Sequence, residues 1–149
     1  MDKDTAEKLI PNPLTEAIIS ITGTDDDIAK LHPTWKYRLN IQADDLEGPM
    51  NNDEEEISYL EELYKHCYFK KIHADAINNF ISMILDSGVQ TLYIHCLMGI
   101  SRSASVAKYV AERFNLEFPE NYSFHNRRIF RLLIESYDQF TDYGTFRLG

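Results

Sequence analysis

Near the middle of the chain a compact apolar run, Thr91-Leu92-Tyr93-Ile94, passes into a glycine-containing loop at 97–102. A helical pattern follows from about Ser103 to Phe114. The run suits a central strand, and the sequence continues strand, tight loop, helix. Upstream, Ala17-Ile18-Ile19-Ser20-Ile21 is a β-branched run that stops at Thr22-Gly23, and it reads as a buried strand. Trp35 to Ile41 alternates Trp35, Tyr37, Leu39 and Ile41 with Lys36, Arg38 and Asn40, which predicts a strand with one wetter face. From Ile57 to about Asp86 the apolar residues take helical spacing, with Ile72, Ala76, Phe80 and Ile77, Ile81, Ile84 on the repeating face and a stop at Ser87-Gly88. A break at Pro119 and a last helix from about Ser123 to Tyr137 complete the pattern. Strands interleaved with helices predict an α/β fold, with a central, mainly parallel sheet of about four to five strands flanked by helices.

The length of 149 residues suits one domain. The expected organisation is an N-terminal arm at 1–13, ending in Pro11-Asn12-Pro13, and a single domain at 14–149 with an acidic insertion at about 51–71. No apolar run approaches the roughly 20 residues of a membrane span. The first residues are too polar for a secretory leader, which points to an intracellular, cytoplasmic protein. A net charge of −9 argues against non-specific nucleic-acid binding. The same charge repels anionic substrates, so any anion site must be built from a local cluster of donors. Two cysteines, Cys67 and Cys96, are too few for a disulfide framework and read as reduced thiols.

The donor cluster lies in Ile94-His95-Cys96-Leu97-Met98-Gly99-Ile100-Ser101-Arg102-Ser103. The strand delivers Cys96 to the carboxyl edge of the sheet, where α/β folds place ligands. The main-chain amides of Leu97, Met98, Gly99, Ile100, Ser101 and Arg102 are candidates to curl around a phosphate. Gly99 permits a backbone conformation closed to other residues. The helix N-terminus adds positive potential, and the Arg102 guanidinium offers a planar fork for two phosphate oxygens. These groups also favour a thiolate, so the Cys96 thiol is expected below its ordinary pKa. A bare Cys-x5-Arg is a weak signal. Cys67 supplies an internal comparison: it too follows a histidine, but no glycine lies in the next positions and His73 stands where an arginine is needed.

With its strand, glycine, arginine and hydroxyl, the segment HCLMGISRSAS resembles the signature of the protein tyrosine phosphatase superfamily, in particular its dual-specificity branch. The resemblance implies a protein phosphatase acting through a phosphocysteine on Cys96. Arg102 would bind the phosphoryl oxygens, Ser103 would stabilise the departing sulfur in the second step, and His95 would hold the loop and tune Cys96. It implies no cofactor and no metal, because Arg102 and the loop amides neutralise the charge. It also places a general acid after an upstream strand. Tyr37 to Asp45 is similar to that segment, and Asp45 falls on the acid position. Asp44 is the competitor one register away, and Glu47 a weaker one. Pro119-Glu120-Asn121-Tyr122-Ser123-Phe124 resembles the family's entry to its last helix, which makes Asn121 a supporting residue.

Two departures accompany the resemblance. Asp45 and Cys96 lie 51 positions apart, more than compact members show, and the excess is the acidic stretch, read as an extra helix. Arg102 to Asn121 is short, which leaves 115–118 as a bare connector and one side of the site open. The implied partner is a phosphorylated protein carrying phosphotyrosine, with phosphoserine and phosphothreonine as further candidates. Inositol phosphates, phosphoinositides and RNA 5′-phosphates are the alternative substrates, although the loop has no lysine. A phosphate-binding pseudophosphatase is the non-enzymatic reading. Elsewhere, Arg127, Arg128 and Arg131 read as a solvated basic face. Thr24 to Asp27 reads as a loop and helix cap, and His66, Cys67 and His73 fit no common metal spacing. Phe124, Phe130, Tyr137 and Phe140 read as core aromatics.

Overall fold

The structure is a computed structural model of the whole chain, and it describes residues 1–49, 54–137 and 145–149. Its elements are α1 (Lys3–Lys8), β1 (Glu16–Thr22), β2 (Tyr37–Gln42), α2 (Glu54–Tyr64), α3 (Lys71–Asp86), β3 (Thr91–His95), α4 (Arg102–Phe114), α5 (Arg127–Tyr137) and β4 (Arg147–Leu148). The four strands form one sheet in the order β2-β1-β3-β4, and every pairing is parallel. The expected α/β architecture is therefore present. Among the described residues no helix is long and apolar enough to cross a membrane.

β1 sits in the middle of the sheet and is buried on both faces, as its continuous apolar run requires. Ala17, Ile19 and Ile21 join Leu92 and Ile94 of β3 on one face, where α3, α4 and α5 close the main core with Ile77, Ile81, Val106, Tyr109 and Leu133. Ile18 points the other way and packs with Trp35 and with Ala6 of α1, and Tyr93 lies against this second cluster. The β1–β3 register sets Ser20 opposite His95, so a polar pair shares the α1 face with an apolar one. β2 alternates half-buried Tyr37 and Leu39 and buried Ile41 with exposed residues, as its sequence predicts. Its strand begins only at Tyr37, because Trp35 turns into the α1-side cluster.

Several expectations are corrected by the tertiary structure. The helical pattern of 57–86 is two helices, broken where Lys65 takes a positive φ of 56°. Ile72 is 70% exposed, and the buried face of α3 runs through Ala74, Ile77, Phe80, Ile81 and Ile84. The last helix starts at Arg127 rather than near Ser123; the Asn126 side chain accepts the Ile129 amide at 3.1 Å and caps it. Phe124, expected in the core, is 69% exposed, whereas Phe140 lies outside the described residues. Arg128 is not on a solvated face: it is 5% exposed, and its Nε donates to the Phe69 carbonyl at 2.7 Å. No helix follows Thr24–Asp27, which form a turn. The segment 1–13, expected as an arm, carries α1 and is tied down by Ala6, which is fully buried.

Candidate active site

β3 ends at His95 and delivers Cys96 to the carboxyl edge of the sheet. The loop then curls back, so that the Gly99 amide donates to the Cys96 Sγ at 3.2 Å. Gly99 takes a φ of +72°, a left-handed conformation that other residues adopt only at a cost. Arg102 opens α4, and one residue later the Ser103 Oγ lies 3.2 Å from the same sulfur. Cys96 is 2% exposed. That burial alone would push its thiol up. The Ser103 hydroxyl and amide, the Gly99 amide and the Arg102 charge outweigh it and hold the thiol below its ordinary value.

Arg102 is buried and held from two sides. Its Nη1 donates to the Ala43 carbonyl at 2.9 Å, and its Nη2 lies 3.7 Å from the Asp26 carboxylate. Asp26 in turn accepts the Gly23 amide at 2.8 Å. This junction leaves no space at Gly23, where a Cβ would sit 2.5 Å from Asp44 Oδ1 and 3.2 Å from Arg102 Nη1. Asp26 thus has a specific place beside the arginine. The run of three aspartates conceals it, since nothing in the run marks which carboxylate turns inward.

His95 is fully buried, and its Nε2 is 2.7 Å from the Ser20 Oγ. Burial lowers its pKa, which favours the neutral ring. It lies on the α1 face beneath the loop, with Nδ1 3.3 Å from the Cys96 carbonyl. Leu97, Met98 and Ile100 present exposed side chains. The Ile100 carbonyl accepts a short hydrogen bond from the Tyr122 hydroxyl. Ser101 bonds outward through its Oγ, which donates to Asp45 Oδ1 at 2.8 Å.

The acidic residues after β2 are separated by their partners. Asp44 accepts the Thr24 amide and hydroxyl and, at 2.7 Å, the Cys67 amide. The Asp44 amide completes the pair by donating to the Cys67 carbonyl at 2.7 Å. Burial raises the Asp44 pKa, but these donors prevail and hold it below the ordinary carboxylate value. It is a structural anion that fastens the acidic insertion to the site. Glu47 accepts the Arg127 amide at the start of α5. Asp45 alone of the three faces the cysteine loop, with Oδ1 bonded to Ser101 and, at 2.9 Å, to Asn126 Nδ2.

Asn121, expected to support the loop, is exposed; Tyr122 and Asn126 make the contacts that role requires. Asn126 could have been found from its place just before a run of helical spacing, since asparagine is a favoured N-cap. Its second task, holding Asp45, depends on the packing of α5 and carries no sequence signal. His66, Cys67 and His73 serve separate local roles. His66 stacks on Tyr64, the Cys67 thiol lies 3.4 Å from the Gln42 carbonyl, and His73 Nδ1 accepts the Lys70 amide. The site therefore joins Cys96, Gly99, Arg102, Ser103, Ser101 and Asp45 at one edge of the sheet. Compared with known proteins, the chain matches no family model, no curated sequence and no solved structure.

Proposed function

We infer that the chain is a cysteine-dependent phosphatase that hydrolyses phosphotyrosine in proteins, with phosphoserine and phosphothreonine as further substrates. One observation carries the reading: a buried sulfur receives the Gly99 amide and is hydrogen-bonded to the Ser103 hydroxyl, each at 3.2 Å, beside a buried arginine held in place by a main-chain carbonyl. A structural cysteine has no use for three groups that stabilise its anion.

In this reading the Cys96 thiolate attacks phosphorus as the P–O bond to the leaving group breaks. Asp45 gives its proton to the departing oxygen. Both donors to Asp45 engage Oδ1, so Oδ2 is the oxygen assigned to that proton. Water, deprotonated by Asp45, then attacks the phosphocysteine. The S–P bond breaks, inorganic phosphate leaves, and the Ser103 hydroxyl stabilises the returning thiolate. Arg102 neutralises charge on the equatorial oxygens in both steps. The uncharged, exposed Leu97, Met98 and Ile100 favour a peptide substrate over an inositol phosphate, whose crowded charges call for lysines at those positions.

The test is hydrolysis of a phosphotyrosine peptide without added metal, by wild type and Cys96→Ser. Wild type should turn over, and the variant should lose turnover while still binding phosphate. Phosphate binding without turnover in wild type would favour the pseudophosphatase reading. Turnover surviving in Cys96→Ser would sink the mechanism.

A further inference from the structure

β3 has an outer edge that β4 covers only at its beginning. Arg147 and Gly149 donate to the carbonyls of Gln90 and Leu92. Beyond that point the opposite end of the chain takes over. The Met1 nitrogen donates to the Ile94 carbonyl at 2.9 Å, and the Cys96 amide donates to the Met1 carbonyl at 3.2 Å. The Lys3 amide then donates to the Leu97 carbonyl at 3.2 Å. The edge beside the nucleophile is thus completed by residues 1–3, and an uncovered strand edge would leave these polar groups to water.

The same segment touches the arginine side of the site. Asp2 caps α1 by accepting the Thr5 amide, and Ala6 packs against Ile18 and Trp35. Lys3 Nζ donates to the Asp27 carbonyl at 2.8 Å, and Glu7 accepts the Lys30 amide at 2.9 Å. Asp27 adjoins Asp26, the carboxylate beside Arg102. Gly99 fits this arrangement in a second way: a Cβ there would lie 2.6 Å from the Met1 carbonyl carbon. The glycine of the loop therefore makes room for the N-terminal segment as well as supplying the turn.

Resting on the phosphatase reading, we propose that residues 1–9 are a positioning element for catalysis, a main-chain segment bonded to the sheet edge and a short helix that set the Cys96 loop against Arg102. Undocking the segment releases the backbone of Cys96 and Leu97 while the sheet and the α3–α5 core stay folded. The nucleophile then loses its fixed direction, and a displacement of about 1 Å can cost about a hundredfold in rate.

Lys3 permits a selective test. It is the first residue of α1, where proline is tolerated, and Asp2 before it has the extended backbone that a following proline needs. Lys3→Pro deletes the amide that bonds Leu97, whereas Lys3→Ala keeps that amide and loses only the ammonium contact. Ala6→Asp drives the helix off its apolar seat. All three are made in a Cys67→Ser background. Three quantities are measured: hydrogen exchange of the Cys96 amide, the pH profile of Cys96 alkylation by iodoacetamide, and kcat and KM on p-nitrophenyl phosphate. Lys3→Ala, which loses the Asp27 contact but keeps the main-chain bond, should shift each readout less than Lys3→Pro does. Lys3→Pro should speed Cys96 amide exchange, move the alkylation midpoint upward and lower kcat by about tenfold, the loss of roughly one hydrogen bond, with little change in KM. Ala6→Asp should act in the same direction and more strongly. The proposal is overturned if Lys3→Pro leaves all three readouts unchanged, or if exchange rises while the midpoint and kcat stay put. Should Ala6→Asp not fold, the Lys3 pair decides alone. If wild type hydrolyses no phosphate ester, the phosphatase reading fails, and the exchange and alkylation readouts still decide whether the segment positions Cys96.

Discussion

Replacing Ser103 by alanine isolates one of the groups that lower the Cys96 thiol below its ordinary pKa. The hydroxyl lies 3.2 Å from the sulfur, and its loss leaves the Gly99 amide, the Ser103 amide and Arg102. A hydrogen bond to a charged group contributes about 1.5–3 kcal/mol net, and one pKa unit is worth about 1.4 kcal/mol. The thiol should therefore rise toward its ordinary value. The assay is the rate of alkylation by iodoacetamide against pH in a Cys67→Ser background, where only Cys96 can react. In wild type the midpoint should fall below the roughly 8.5 of a free cysteine. In Ser103→Ala it should move up, and alkylation near pH 6 should slow by about tenfold or more. At high pH, where both thiols are ionised, the gap should close and reverse, because the more basic thiolate is the stronger nucleophile. The second chemical step should suffer too, because sulfur leaves without its donor, and phosphocysteine should accumulate after a burst. An unchanged midpoint would refute the claim that this hydroxyl stabilises the anion, whatever happened to turnover.

Arg102→Ala should lose phosphate binding and turnover together, because in the proposed mechanism its fork neutralises the dianion; calorimetric titration with inorganic phosphate checks this against Cys96→Ser. Asp45→Asn should lower kcat by about a hundredfold and abolish the alkaline fall of the pH–rate profile, consistent with the loss of a general acid. Asp44→Asn should keep that fall and lose thermal stability instead, since it weakens the bonds to Thr24 and Cys67; the reverse result would exchange the two assignments. Asn126→Ala should remove a helix cap as well as the grip on Asp45, with a stability loss of about 1 kcal/mol in urea unfolding and a drop in kcat. The depressed thiol of Cys96 also has a linkage consequence. Because its folded pKa lies below the unfolded one, its contribution to stability is complete above about pH 8.5 and is lost as pH falls through the folded value. The unfolding free energy of wild type relative to Cys96→Ser should therefore rise with pH across that window, and a flat difference would contradict the depressed thiol.

What could be read from residues alone was whatever depends on neighbours in the chain. The apolar runs of β1 and β3, the alternation of β2 and the loop from Cys96 to Arg102 have local causes, so their positions and the α/β class followed from spacing. The strand-to-helix junction also placed Cys96, Gly99, Arg102 and Ser103 together, because eight consecutive residues of one tight junction cannot separate far. Contacts between distant segments were not legible. The resemblance favoured Asp45 over Asp44, but spacing alone could not separate neighbours; in the fold the backbone of Cys67 holds one, and Ser101 with Asn126 hold the other. Asp26 stands in a run of three aspartates and found Arg102 through the Gly23 turn. Residues 1–9, polar and followed by prolines, gave no sign that they complete the edge of β3, because main-chain hydrogen bonds carry no side-chain signature and only the folded sheet creates the vacancy they fill.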